Sequence, residues 1–299
     1  MRVTQQMLDR SLLQGINERM SGLEDLNRKL SSGRKISTVS DDPVASAQIL
    51  RAQRTEGRID TCLRNIDSVD AMLSTVTSSL QAATETTTRV RQLATQAATG
   101  TYAEVDRGNI AREIEESIES LVSLANTRVN GEYVFSGATA EVRPFQLNRN
   151  AEGEIERVAY RGASSSTEAT IAPDRTASVN MVGSEVFERE GDLFDTLVRL
   201  RDAVKSSNQK EIQALLGKME TGEDGLRASL GIAGARQNQL ELVRNQLEGF
   251  SQTNREILSE VGDTDIAEAS MNYQRNMMSL QWALKVSAQA ARPSLVDYL

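Results

Sequence analysis

The chain has no histidine, one cysteine, four prolines and few aromatic residues, with Phe, Trp and Tyr making up only 4% of it. Each shortage closes off a class of function. Without His there is no Ser-His-Asp triad and no imidazole metal ligand, although carboxylate or lysine chemistry survives that exclusion. The lone Cys62 permits neither an internal disulfide nor a cysteine-rich metal site. Beside Leu63 in a helical stretch, it reads as a small residue flanking a core. Scarce aromatics argue against a sculpted pocket. No apolar run approaches the ~20 residues of a membrane span, and Met1 to Met7 lacks the apolar stretch of a cleaved signal peptide. These features describe a soluble cytoplasmic protein, with export that needs no cleaved signal left open. The 34 Lys+Arg stand against 42 Asp+Glu for a net charge of −8, with both signs interspersed, which argues against nucleic acid as a partner.

What the chain does have is helical periodicity. At its start, Leu13, Ile16, Met20, Leu23, Asn27 and Leu30 recur at alternating steps of three and four. At its end Ile266, Ser270, Tyr273, Met277, Leu280, Leu284, Ser287 and Ala291 do the same. Each line is a coiled-coil seam, and a narrow apolar stripe on one helix needs the opposite terminus, a neighbouring subunit, or both to cover it. The first helix is expected over Gln5 to Ser32. A polar connection follows, and Asp41, Asp42 and Pro43 then restart a helix. Asp42 is placed to accept from first-turn amides, and Pro43 sits where no amide donor is needed.

From Ile66 the line Val69, Leu73, Val76, Leu80, Ala83, Thr87, Val90, Ala94, Ala97 continues unbroken towards Thr99. A helix from Pro43 to there would be a rod of roughly 85 Å at ~1.5 Å per residue. A shorter helix is expected over Val105 to Val129, then a hairpin at Asn130-Gly131 with a strand-like Tyr133-Val134-Phe135. Between Glu141 and Gly183 the helical period is lost, and strands are expected near Ile155 to Arg161, Ala169 to Ala172 and Ser178 to Val182. Helix resumes at Leu193. A second long rod carries Met219, Leu226, Ala233, Leu240, Val243, Leu247, Phe250, Ile257 and Val261 on one seam, with Arg236 and Asn254 as polar seam residues that fix register. Gly262-Asp263 breaks it before the last helix, capped by Asp263 or Asp265.

The expected architecture is mainly α, a long antiparallel helical rod with paired terminal helices and a small β-rich insert. Three parts are expected: residues 1–40 with 263–299 for terminal coiled-coil assembly, 41–139 with 186–262 as the helical rod, and 140–185 as an outer β domain. No chemistry emerges. Gly231-Ile232-Ala233-Gly234 lacks both the spacing of a phosphate loop and a preceding strand. The acidic pairs Asp41-Asp42 and Asp263-Thr264-Asp265 each precede a helix, where capping accounts for them.

Leu30-Ser31-Ser32-Gly33-Arg34-Lys35-Ile36 followed by Ser40-Asp41-Asp42-Pro43-Val44-Ala45 resembles the N-terminal hallmark of bacterial flagellins and their relatives. Asp265-Ile266-Ala267-Glu268-Ala269 through Leu280-Gln281 resembles the C-terminal one. Within that superfamily Asn130-Gly131-Glu132-Tyr133-Val134-Phe135-Ser136-Gly137 with Pro144-Phe145, and the opening Met1-Arg2-Val3-Thr4-Gln5-Gln6-Met7, are similar to the hook-associated branch. The resemblance leaves the insert unmatched, and Pro293 to Leu299 and Cys62 depart from it. It implies a structural protein without cofactors, not an enzyme. Such a protein is exported through the flagellar apparatus with a cytoplasmic chaperone, and located outside the cell as a ring between hook and filament. The implied partners are copies of itself, a proximal hook-associated protein and flagellin. Filament flagellin, and a coiled-coil signalling or adhesion rod, are the alternatives.

Overall fold

The structure, a computed structural model, describes residues 5–99, 103–189 and 191–290. The chain is mainly α and divides into two compact units: a terminal unit of Met1–Gly57 with Phe250–Leu299, and a central unit of Arg58–Gly249. The boundaries fall inside two long helices, α2 (Pro43–Ala98) and α6 (Gln209–Gly262).

In the central unit every member of the α2 line from Ile66 to Ala97 is buried. Thr87, the one polar member, is fully enclosed and bonds its hydroxyl to Ala83 O at 2.8 Å, so the seam accepts it without an orphaned group. Facing residues come from α6, α3 (Glu104–Ala125) and α5 (Leu193–Lys205). On α6 the line is buried at Met219, Leu226, Ala233, Leu240, Val243 and Leu247. It fails further on, where Phe250 and Ile257 are exposed. α3 stops at Ala125, short of the expected Val129, because Asn126 turns its side chain to other work. Its amide donates to Val122 O and Phe145 O and its Oδ1 accepts from Phe145 N, tying the helix end to a strand.

The β structure is three separate two-stranded antiparallel pairs among the described residues. β1 (Arg128–Val129) and β2 (Glu132–Tyr133) are joined by Asn130 and Gly131 at φ 52° and 91°, the left-handed pair that a tight hairpin turn requires. The strand ends at Tyr133, not Phe135. β3 (Phe145–Arg149), which the periodicity did not reveal, pairs with β4 (Ile155–Tyr160), and β5 (Glu168–Ala172) pairs with β6 (Arg175–Ser178). The strand expected over Ser178 to Val182 is thus displaced to β6, and a short α4 (Gly183–Phe187) follows.

An isolated two-stranded pair is at best marginal in water, so each must lean on helices. Phe145 and Ile155 of β3 and β4 are fully buried in the same core as α3 and α5. There Phe135, Phe145, Phe187 and Phe194 pack with ring centroids 5.2 to 5.5 Å apart. The packing is tight enough that a Cβ on Gly183 would come within 2.7 Å of the Phe145 ring. Ile171 of β5 enters a second cluster with Ile59, Cys62, Ile66 and Leu247, while Asn65 of α2 donates to Thr170 O at 2.8 Å.

One charged residue pins this assembly. Arg201 of α5 is 4% exposed, and its guanidinium donates to Glu115 of α3, to Asp202, and to Ile155 O of β4 at 2.8 Å. Glu115 in turn accepts from Ile155 N at 2.7 Å. Two helices and a strand therefore meet on one buried ion pair.

Candidate assembly surface

In the terminal unit α1 (Gln5–Ser32) lies antiparallel to α7 (Ile266–Ala290). Their pairing is anchored near the α1 C-terminus, where Thr264 N donates to Gly33 O at 2.9 Å and Lys35 N to Gly262 O at 2.7 Å. Halfway along, Arg19 reaches Ser279 O at 3.1 Å. Gly33 takes φ 68°, which lets the chain leave α1 sharply. In the connection that follows, Asp41 Oδ2 accepts from Ser37 N and Thr38 N, and Asp42 Oδ1 accepts from Val44 N and Ala45 N, each at 2.9 to 3.0 Å. Pro43 is the first residue of α2. Asp265 Oδ1 caps α7 through Ala267 N and Glu268 N. Each of these acidic side chains accepts from backbone amides beside a helix start. Among the described residues no group of His, Cys, Asp and Glu gathers to hold a metal. Among the described residues no helix is long and apolar enough to cross a membrane.

The terminal seams divide into an inner and an outer half. Leu23 is buried, and Ile16 and Leu30 are half-buried with Leu12 and Leu26, which together form the line toward α7. On α7, Ala269 is buried, and Tyr273, Leu280 and Ala283 are half-buried. The other seam members face water: Leu13 is 60% exposed, Leu284 49%, and Met20, Ile266 and Met277 are also exposed. Ala291 lies outside the described residues. At ~100° per residue, the exposed members sit about a quarter turn round from the inner line on each helix. Because the helices run antiparallel, these two quarter turns bring both exposed lines to the same side of the pair.

A further stripe escaped the periodicity. Met271, Met278 and Trp282 lie on the side of α7 away from α1, and Trp282, the sole tryptophan, is 66% exposed with Lys285 Nζ 5.4 Å from its ring centre. Their spacing of seven and four was readable as a second seam, masked by the stronger first one. Both exposed apolar lines lie on a helix pair otherwise rich in polar residues.

Close by, α2 and α6 meet through polar side chains. Glu56 accepts from Ser251 at 2.7 Å, Asn254 at 3.0 Å and Arg255 at 2.6 Å, and Asn254 also donates to Ala52 O at 2.9 Å. Burial alone would push the Glu56 carboxyl up, but these hydrogen bonds and the Arg255 charge hold it below its ordinary value. The Thr38 and Ser37 amides likewise hold Asp41 down.

In the central unit the sign reverses. Burial, and then the charge of Asp192, pushes Glu188 up; burial pushes up Asp192, the cap of α5, against the Asp195 amide that holds it down. A depressed carboxyl contributes stability above its unfolded pKa and loses it as pH falls through the folded one. A raised carboxyl contributes fully below its unfolded pKa and loses that as pH rises through the folded one. Amide exchange at pH 7 and at about 3.5, corrected for intrinsic rates, is therefore expected to show protection falling around Glu56 and rising in the first turn of α5. Parallel changes at both places would contradict these assignments.

Residues 3–140 match the bacterial flagellin N-terminal helical region, and residues 213–299 match the bacterial flagellin C-terminal helical region. The chain is 24% identical to flagellar hook-associated protein 3 of Salmonella typhimurium, across 96% of this chain and 91% of that protein. It is 27% identical to the flagellar filament 30.7 kDa core protein of Treponema maltophilum, across 88% and 86% respectively. The fold is similar to that of the flagellar junction protein FlgL of Legionella pneumophila, with a TM-score of 0.60 and 18% identity, covering 73% of this chain and all of that one. With both terminal helical regions matched and the fold shared, the chain belongs to the bacterial flagellin family.

Proposed function

We propose that this chain is a structural, non-enzymatic component of the bacterial flagellum that forms the junction between hook and filament. The observation that carries the assembly half of this proposal is the pair of exposed apolar lines, Leu13 and Met20 on α1 with Ile266, Met277 and Leu284 on α7, on one side of an antiparallel helix pair. Covering such lines with a neighbouring subunit releases water from several large side chains at ~25 cal/mol per Å² of apolar surface. The junction half rests on near-full-length similarity to hook-associated protein 3. Residues 1–40 with 263–299 would carry assembly, 41–139 with 186–262 the rod, and 140–185 the outward face. Partners are further copies of the chain in a ring, a proximal hook-associated protein, and flagellin. Delivery to the outside of the cell runs through the flagellar export apparatus with a cytoplasmic chaperone.

Similarity to a Treponema filament core protein favours a second reading, in which the chain is a filament subunit. Gene deletion separates the two. A junction protein's loss leaves hooks intact while flagellin, still exported, spills into the medium, and immunoblots of medium and purified hooks read this directly. Filaments persisting on hooks, or purified chain growing into long filaments from filament seeds, would establish that the junction assignment is wrong.

A further inference from the structure

The β5–β6 pair is fixed to the rest of the central unit at two places. At its base Thr167 N donates to Asn180 Oδ1 at 3.1 Å, and Val179 N donates to Thr167 O at 2.8 Å. Asn180 is 3% exposed and donates through Nδ2 to Gly137 O at 2.6 Å. Beyond this base the pair lies on the apolar cluster that α2 and α6 build from Ile59, Cys62, Ile66, Leu240, Val243 and Leu247. There Ile171 is its one fully buried side chain, and Asn65 of α2 holds the neighbouring Thr170 O. The other residues it packs on the cluster, Ala169, Ala172 and Ala177, are half-buried alanines with little apolar surface to contribute.

Ile171 reaches the helices by leaving the ladder. Thr170 pairs with Thr176 and Ala172 with Arg175, so Ile171 sits where the register shifts, with no partner across the strands. A bulge of this kind re-aims one side chain and weakens the pairing around it. The contrast with β3–β4 is large. That pair buries both Phe145 and Ile155 completely, is tied to α3 by the Asn126 side chain, and meets the guanidinium of Arg201. A short two-stranded pair is marginal alone, so β5–β6 stays down by what Ile171 and Asn65 supply, whereas β3–β4 shares the stability of the main core. Beneath the pair, in the same cluster, lies Cys62, 7% exposed and the sole cysteine of the chain.

We infer that the β5–β6 hairpin, residues 168–178, is a strap that lifts off α2 and α6 while the helices and β3–β4 stay folded, with Ile171 as its latch and the apolar cluster around Cys62 as the surface it uncovers. The strap belongs to the central unit and is indifferent to whether the chain joins hook to filament or builds the filament.

Alkylation of Cys62 by iodoacetamide in the full chain, followed by mass spectrometry in urea below the unfolding transition, tests it. In the wild type the thiol is modified through an opening that depends weakly on urea, because lifting the hairpin exposes little surface compared with global unfolding, which circular dichroism follows on the same samples. Ile171→Ala speeds modification about thirtyfold or more, the consequence of losing a buried isoleucine side chain. Asn65→Ala, which removes only the bond to Thr170 O, speeds it about fivefold and decides the matter if Ile171→Ala does not fold. Amide exchange across β3–β4 stays at its wild-type rate in both variants. Modification of Cys62 with the urea dependence of global unfolding would overturn the strap. So would variants that leave the rate unchanged, the result expected if α2 itself frays at Cys62, or exchange in β3–β4 that rises in step with labelling.

Discussion

Leu284→Asp is expected to leave the isolated chain folded, with α1 still paired to α7, and to abolish filament attachment in the cell. Leu284 is half in water in the free chain and lies off the line that faces α1, so a carboxylate there meets solvent and costs the monomer little. In an assembled ring the same position would be covered, and an unpaired buried carboxylate costs several kcal/mol, enough to lower incorporation by more than a hundredfold. Leu280→Asp makes the informative contrast. Leu280 sits half-buried on the α1-facing line, so its substitution should also loosen the helix pair in the monomer. Thermal melts by circular dichroism measure the first effect, and electron-microscopic counts of filaments on hooks the second. Normal filaments on Leu284→Asp cells would remove this side of the helix pair from the assembly contact.

Arg201→Ala should be the most damaging single change in the central unit, at about 3–5 kcal/mol, the usual consequence of breaking a buried ion pair from one side. Loss of the guanidinium leaves Glu115 Oε2 and Ile155 O without the donor they share, at the point where α3, α5 and β4 meet. Urea titration of the wild type, Arg201→Ala, and Arg201→Met with Glu115→Leu separates the charge from the packing. The apolar double variant should recover much of the loss, since replacing a whole buried pair with hydrophobic groups is often neutral. A shift below 1 kcal/mol for Arg201→Ala would refute the pin.

The long helices were legible because their signal is redundant. Ten positions from Ile66 to Ala97 repeat one period, and no local exception at Thr87 could hide it. The helix restart at Asp42-Pro43 was legible for a different reason, since capping chemistry is local and needs no partner. Periodicity also put Leu13 and Met20 in a seam with Ile16 and Leu23, but it could not divide the seam into a half that meets α7 and a half that stays open. That division depends on which helix lies alongside and in which direction it runs. The β segments were harder still. β3 alternates poorly, and its decisive residue, Phe145, is buried by Phe187 and Phe194 from beyond the sheet, so no short window contains its reason. Arg201 was missed outright because a charged residue in a helix reads as surface, and only the meeting of three distant segments buries it.

The aromatic core has a bearing on the order in which the chain can fold. Its four phenylalanines come from residues 135–194, and the bond from Asn126 to Phe145 that ties α3 to β3 spans 19 residues. Pairing of α2 with α6 closes far longer loops, 177 residues for Asp67 with Arg244. Loop-closure entropy makes that closure about 2 kcal/mol more costly than the short one, before any contact rewards it. The scarce aromatic residues are therefore concentrated where contacts form most locally. The paired rods, built from small aliphatic side chains, must wait for the two ends of the chain to find each other.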